Sequence, residues 1–236
     1  MGRNNFFRFK QFQIVQERAA MKVGIDGVLL GAWANFDGEK RVLDVGTGTG
    51  LLALMAAQRC SGSIDAVELE PEAAAEALAN FNNSAWKSRI KLVVCAFQNF
   101  ETQEKYDHII SNPPFFENSP KSANSKRAQA RHSDSLSLSD LLMKAQKILA
   151  ENGKISLILS ADQEGRLRFL AYDLGLYIHR FCLVLPDETR EPHRILVELS
   201  CSPGQTDEHR VTIRNSKSAE YTDQYRELTR DFYLAF

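Results

Sequence analysis

The chain has only four cysteines, Cys60, Cys95, Cys182 and Cys201, all far apart and none in a C-x-x-C pair. That spacing argues against a zinc site or a disulfide framework; small buried side chains in a reducing compartment are expected instead. No run of about 18 apolar residues occurs, so no membrane-spanning helix is expected. The most apolar window, Leu51 to Ala57, is too short. An excess of charge is also lacking: 29 Lys plus Arg face 30 Asp plus Glu, a net charge of −1. This excludes a uniformly basic nucleic-acid coat but not a local basic face. The first ten residues lack the unbroken apolar core of a signal peptide. The expectation is a cytoplasmic chain with no membrane segment and no metal, monomeric or weakly dimeric.

What remains is ordinary globular material. Hydrophobic residues make up 44% and charged residues 25%, which excludes a disordered or collagen-like chain. With 236 residues it reads as one domain, large enough to fold without a disulfide or metal staple. Short apolar runs alternate with helical patterns. Strands are predicted at 41–45, 63–68, 90–95, 106–111, 154–160, 176–185 and 195–201. Helices are predicted at 51–59, 71–82, 138–150 and 162–174, with Pro71 in a first turn and Asn152-Gly153 as a stop. The alternation predicts an α/β fold with a parallel sheet and helices on both faces. Residues 1–40 and 202–236 read as additions to a 41–201 core; the tail offers one short strand from Val211 and a helical pattern at Tyr221, Tyr225, Leu228 and Phe232.

The strongest motif is Asp44-Val45-Gly46-Thr47-Gly48-Thr49-Gly50, which follows a strand and opens a helix. Glycines permit a tight turn and close approach of backbone to ligand. The dinucleotide fingerprint is G-x-G-x-x-G, whereas the spacing here is G-x-G-x-G. Asp44, two residues before the first glycine, would repel a pyrophosphate. S-adenosylmethionine, with a cationic sulfonium and an amino group, calls for acidic and carbonyl groups there. Glu68 ends the second strand, twenty residues after Gly48, and a carboxylate in that place accepts ribose hydroxyls; the bland alternative is a solvated strand-end acid.

This stretch, from Arg41 to Cys201, resembles the class I S-adenosylmethionine-dependent methyltransferases. The resemblance implies a Rossmann-like fold with a mostly parallel seven-stranded sheet, and S-adenosylmethionine as cofactor. It assigns cofactor contacts to Asp44, Gly46, Thr47, Gly48, Gly50, Glu68 and Leu69. The family often places an acid on the adenine at the end of the third strand. Ala96 stands there, so the Phe97 backbone N–H or an apolar slot is expected to serve.

Ser111-Asn112-Pro113-Pro114-Phe115-Phe116 follows the fourth strand and resembles the Asn-Pro-Pro-aromatic motif of amino-methyltransferases. Their acceptor is a nitrogen conjugated to a π system, whose lone pair is delocalised and poorly nucleophilic. The Asn112 side-chain carbonyl and the Pro113 backbone carbonyl are expected to accept both amine hydrogens and favour a more tetrahedral nitrogen. Pro113 and Pro114 stiffen the loop, and Phe115 is expected to stack on a flipped base. Asn112 also belongs among the cofactor neighbours. The alternative is a turn with Phe115 and Phe116 in the core.

The motif fixes the reaction but not the acceptor, being shared by adenine N6, guanine N2 and glutamine N5 methyltransferases. The block Gln11-Phe12-Gln13-Ile14 to Trp33, with Met21-Lys22-Val23-Gly24-Ile25-Asp26-Gly27, resembles the bacterial tRNA1(Val) adenine-N6-methyltransferases. So do Glu191 to Glu198 and Tyr221 to Phe236. The resemblance implies tRNA as partner, and adenine 37 beside the valine anticodon as target. It lays Lys22, Gly24 and Asp26 over the methionine end of the cofactor; alternatively Asp26 caps a helix beginning near Gly27. Arg8 and Lys10, with Arg3, Arg18 and Lys22, interleave with Phe6, Phe7, Phe9 and Phe12, a pattern suited to phosphate contacts and base stacking. Lys121, Lys126, Arg127 and Arg131 form a second basic run after the catalytic motif. Both runs read otherwise as solvated basic faces. His193 and Arg194 are either strand-end tRNA contacts or structural.

Three rivals stand beside this reading. A glutamine N5-methyltransferase for a release factor shares the chemistry but usually carries a helical N-terminal domain. A DNA adenine methyltransferase needs a sizeable target-recognition region. A non-catalytic RNA-binding module has Ala96 in its favour and the Asn112-Pro113-Pro114 loop against it.

Overall fold

The computed structural model describes residues 5–18, 22–113 and 136–236. Pro114, Phe115, Lys121, Lys126, Arg127 and Arg131 lie outside the described residues. The elements run β1 Phe6–Arg8, β2 Gln13–Val15, α1 Ile25–Trp33, β3 Arg41–Val45, α2 Leu51–Arg59, β4 Ser63–Glu68, α3 Pro71–Asn82, β5 Ile90–Val94 and β6 Tyr106–Ser111. After the 114–135 segment come α4 Leu138–Ile148, β7 Leu149–Ser160, α5 Glu164–Asp173, β8 Tyr177–Leu185, β9 Arg194–Ser200, β10 Asp207–Thr212 and α6 Asp223–Thr229.

One sheet holds eight strands in the order β10-β8-β9-β7-β6-β3-β4-β5. Only β9 runs against its neighbours β7 and β8; the other pairings are parallel. The strands alternate between two cores. Val42, Ile64, Ile110 and Leu196 face α1, α2 and the N-terminal segment, whereas Leu43, Val67, Ile109 and Val197 face α4 and α5. Central strands covered on both faces need near-continuous apolar runs, and β3 and β9 have them. In α4 the buried positions Leu138, Leu141, Leu142, Ala145 and Ile148 form one stripe at helical spacing. Each buried leucine contributes about 1.5–3 kcal/mol relative to exposure. Ser137 caps α4, its hydroxyl accepting from the Asp140 N–H at 3.1 Å.

The sheet has one strand more than the seven predicted. β10 begins at Asp207, earlier than the strand read from Val211, and pairs parallel with β8 at the edge. Half of its six residues are charged and its first residues are exposed, as suits an edge strand; that composition hides it from an apolar-run reading. The helix predicted to reach residue 150 stops at Ile148, and β7 starts at once. Asn152-Gly153 does not end a helix. It lies in an irregularity where Tyr106 pairs with Leu149 but His108 pairs with Lys154. A Cβ on Gly153 would meet the Tyr106 carbonyl oxygen at 2.8 Å, so only glycine fits there without a shift.

The first 40 residues contain a two-stranded antiparallel ribbon, β1 with β2, that the sequence reading did not assign. Phe9 and Phe12 of this segment are buried in the core rather than presented for stacking. Among the described residues, no helix is long and apolar enough to cross a membrane, and no group of three or more metal-ligating side chains occurs.

Candidate active site

A cavity of about 710 Å³ opens along the carboxyl edge of the sheet, over the ends of β3, β4 and β6, the edge where open α/β sheets bind ligands. Its floor is the turn after β3. Gly46, Gly48 and Gly50 have φ of +72°, +56° and +87°, a region that favours glycine. At Gly50 a Cβ would also strike the Phe81 ring of α3 at 2.4 Å. At Gly46 and Gly48 a Cβ would meet nothing within 4 Å, which is the open space a ligand needs. The turn is tied to β4, with the Gly46 and Thr47 N–H groups donating to the Val67 carbonyl at 2.9 and 3.0 Å.

Asp44 does not line the cavity. It is fully buried beneath the turn, where Oδ2 accepts from the Thr47 hydroxyl at 2.6 Å and the Ala53 N–H at 3.0 Å. It therefore braces the strand end against α2 from below. Burial pushes its carboxyl up to about 7, against the lowering pull of the Thr47 and Ala53 hydrogen bonds. Because the folded value lies above the unfolded one, the contribution to stability is complete below about pH 4 and is lost as pH rises through 7. Asp44→Asn, which cannot titrate, is expected to flatten the fall of the thermal midpoint between pH 4 and pH 7. Parallel midpoint-against-pH curves for the two proteins would refute this.

Glu68 closes one side of the cavity. It is 9% exposed, with Oε2 accepting from the Gly48 N–H at 2.8 Å and Oε1 from the Glu70 N–H at 2.9 Å. Each oxygen keeps lone pairs for a further donor. Beyond it, Leu69, Cys95, Ala96, Phe97 and Gln98 line the wall. Phe97 is 3% exposed and stacks on Phe100, so its ring belongs to the core.

Asn112 follows β6, and its place is set by Ser111, whose hydroxyl donates to the Val45 carbonyl at 2.8 Å. Asn112 Oδ1 is buried and has no hydrogen-bond partner among the described residues. Burying such a carbonyl costs about 1–3 kcal/mol unless a donor arrives. Pro113 lines the same cavity. The roof is Lys22 to Gly27. A Cβ on Gly27 would meet Leu51 at 2.9 Å and the Asn112 amide nitrogen at 4.0 Å, so the first turn of α1 lies against Asn112.

Asp26 lines the roof of the cavity. Asp26 is no cap, because the N-cap of α1 is Gly24. Its carboxylate instead pairs with Arg194 at 2.9 Å, and Arg194 also donates to the His193 carbonyl. Arg194 thereby ties the roof to the start of β9. His193 lines the cavity. Its Nδ1 lies 3.1 Å from the Val184 carbonyl, which can only accept, so Nδ1 carries the proton. Burial holds the imidazole below its usual range, with Arg194 adding to the effect. Away from the cavity, Lys10 donates to the Arg230 and Phe236 carbonyls, and Arg8 to the Gln13 side chain.

The sequence reading missed the residues that fasten the roof. Asn80 accepts from the Val15 N–H and donates to the Val15 and Thr49 carbonyls at 2.9–3.0 Å, joining ribbon and glycine turn to α3. Glu76 accepts from the Glu17 and Arg18 N–H groups. The Gln16 side chain accepts from the Val23 N–H at 2.8 Å. The signal was present for Asn80: it falls at helical spacing on the apolar side of α3, with Ala74, Ala77 and Phe81.

Glu68, the open glycine turn and the orphaned Asn112 carbonyl suit S-adenosylmethionine beside an amine. The comparisons agree. The family described as "Methyltransferase small domain" matches residues 28–172. A tRNA1(Val) (adenine(37)-N6)-methyltransferase of Bacteroides fragilis is 41% identical over 232 residues, covering 97% of this chain and 98% of its own. The protein of that name from Trichodesmium erythraeum is 46% identical over 205 residues, 85% of each chain. The one from Escherichia fergusonii is 44% identical, over 86% of this chain and 84% of its own. Among solved structures, one described as a predicted O-methyltransferase of Agrobacterium tumefaciens superposes with a TM-score of 0.69 at 20% identity, over 88% of this chain and 96% of that one. At that identity the likeness is one of fold.

Proposed function

The chain belongs to the tRNA1(Val) (adenine(37)-N6)-methyltransferase family, and from that premise we propose that it methylates N6 of adenine 37 in a valine tRNA, using S-adenosylmethionine, in the cytoplasm. The observation that carries this reading is the Asn112 side-chain carbonyl, buried without a partner among the described residues at the cavity that holds Glu68 and the glycine turn.

S-adenosylmethionine supplies an electrophilic methyl group on a sulfonium. The chain's own residues do the rest by positioning. Asn112 Oδ1 and the Pro113 carbonyl accept the two hydrogens of the exocyclic amine. That localises the lone pair on nitrogen and aims it at the methyl group. An in-line displacement held in this way gains most from orientation. Glu68 accepts the ribose hydroxyls, and Lys22 meets the cofactor's carboxylate. The nitrogen becomes more acidic on methylation, so its proton leaves without a strong base.

The test is methyl transfer from labelled S-adenosylmethionine at low salt, offering unmodified bulk tRNA, a release factor and duplex DNA in parallel, followed by nucleoside digestion. Label in N6-methyladenosine from tRNA alone is expected. Label in the release factor would move the enzyme to glutamine methylation and overturn the reading.

A further inference from the structure

Away from the methyl-transfer cavity, the N-terminal ribbon and the C-terminal segment close a second cavity of about 280 Å³. Phe7, Arg8, Tyr221, Tyr233, Leu234 and Phe236 line it. Its rings meet edge to face. Phe236 stands at 78° to Tyr221 and 82° to Tyr233, both with centroids 5.4 Å apart, and Phe7 stands at 60° to Tyr233. Rings at such angles make the walls of a box rather than a pile; Tyr221 is also covered by Tyr225 and Arg214, which leaves Phe7, Tyr233 and Phe236 as the walls a flat guest would meet.

The rim is cationic. The Arg8 guanidinium lies 5.2 Å from the Phe6 ring centroid, Arg214 lies 4.0 Å from that of Tyr221, and Arg226 lies 5.9 Å from that of Phe236. Arg8 is exposed and its hydrogen-bond partner Gln13 is neutral. Of the acids in the C-terminal segment, Glu227 and Asp231 are paired with Arg230, while Glu220 and Asp223 are exposed beside Tyr221. Phe6 is 41% and Leu234 63% exposed at this face. An apolar peptide would use the rings but has no need of three guanidinium groups. An unpaired nucleobase uses both, its face on an aromatic ring and its phosphate on arginine.

The patch also lies within a short length of chain of the active site. Phe7 pairs with Ile14, and the chain then runs past Gln16, which holds the Val23 N–H, to Gly24 in the roof. From Ile14 to Gly24 even a fully extended chain spans at most roughly 35 Å, a distance that one RNA substrate bridges.

We infer that this second cavity binds one unpaired base of the RNA substrate, other than the target adenine, with an adjoining phosphate on Arg8. The inference rests on the tRNA reading above.

The experiment is a fluorescence-anisotropy titration of labelled unmodified tRNA with full-length protein, repeated over a range of salt concentrations in the presence of S-adenosylhomocysteine. Arg8→Gln is expected to weaken binding and to reduce the slope of log K against log salt by about one. Phe236→Leu is expected to weaken binding about tenfold with the slope unchanged, since stacking is lost but no charge. Both variants should bind S-adenosylhomocysteine as the wild type does. A merely structural contribution would lower the thermal midpoint without changing the salt slope. Wild-type affinity and slope in both variants would overturn the inference, while tRNA methylation by the wild type leaves the tRNA reading standing. A slope change in Arg8→Gln with no effect of Phe236→Leu would overturn occupancy by a base. If the wild type neither binds nor methylates tRNA, the tRNA reading itself fails and this inference with it.

Discussion

Asn112→Ala is expected to lower the turnover of methyl transfer by about 10²- to 10³-fold, the range found when a single pre-aimed polar group is removed from a transition-state site. The affinity for S-adenosylhomocysteine should stay within about threefold of wild type. The structure adds a second expectation that separates catalysis from folding. The Asn112 side-chain carbonyl is buried without a partner among the described residues, so truncation removes an unsatisfied group. The thermal midpoint of Asn112→Ala should therefore equal or exceed that of the wild type, the sign of a site that gives up stability for function. Asn112→Asp retains acceptor oxygens and should keep more activity than alanine. Wild-type turnover in Asn112→Ala, measured with saturating tRNA and cofactor, would remove Asn112 from its assigned place.

Much of this site was legible because its chemistry is local in sequence. The glycine turn, Glu68 and Asn112 each lie at the end of a strand with an apolar run, so strand order alone brings them to one edge. What sequence could not show was the direction in which a side chain points. Asp44 and Glu68 are both strand-end acids, yet Asp44 faces down onto Thr47 and Ala53 whereas Glu68 faces the cavity. Both project from the same face of the sheet, and since Asp44 pairs with Ala66, Glu68 stands two residues nearer the carboxyl edge. The Asp26–Arg194 pair was illegible for another reason, since its partners lie 168 residues apart and meet only through the fold. The aromatic N-terminus shows the same limit. Phe9 and Phe12 enter the core while Phe6 remains exposed and Phe7 joins the second cavity, although all four carry the same side chain.

Glu68→Gln is the substitution expected to cost the most cofactor affinity. The carboxylate now accepts from two different N–H groups on its two oxygens, Gly48 on Oε2 and Glu70 on Oε1. An amide has one oxygen and one NH₂, so in either orientation a donor faces a donor, and either the Gly48 or the Glu70 N–H loses its acceptor. The amide nitrogen is also no acceptor for a ribose hydroxyl. Hydrogen bonds to a charged group are worth about 1.5–3 kcal/mol each, so the loss should weaken S-adenosylhomocysteine binding roughly 10- to 150-fold. Turnover at saturating cofactor should fall far less than in Asn112→Ala, because Glu68 is assigned to the ribose and not to the amine. Calorimetric titration separates a ribose contact from a mere brace. The wild type should bind an analogue lacking both ribose hydroxyls much more weakly than S-adenosylhomocysteine, whereas Glu68→Gln should discriminate little between them. Equal discrimination by the two proteins would leave Glu68 as support for the turn and assign the ribose to another group.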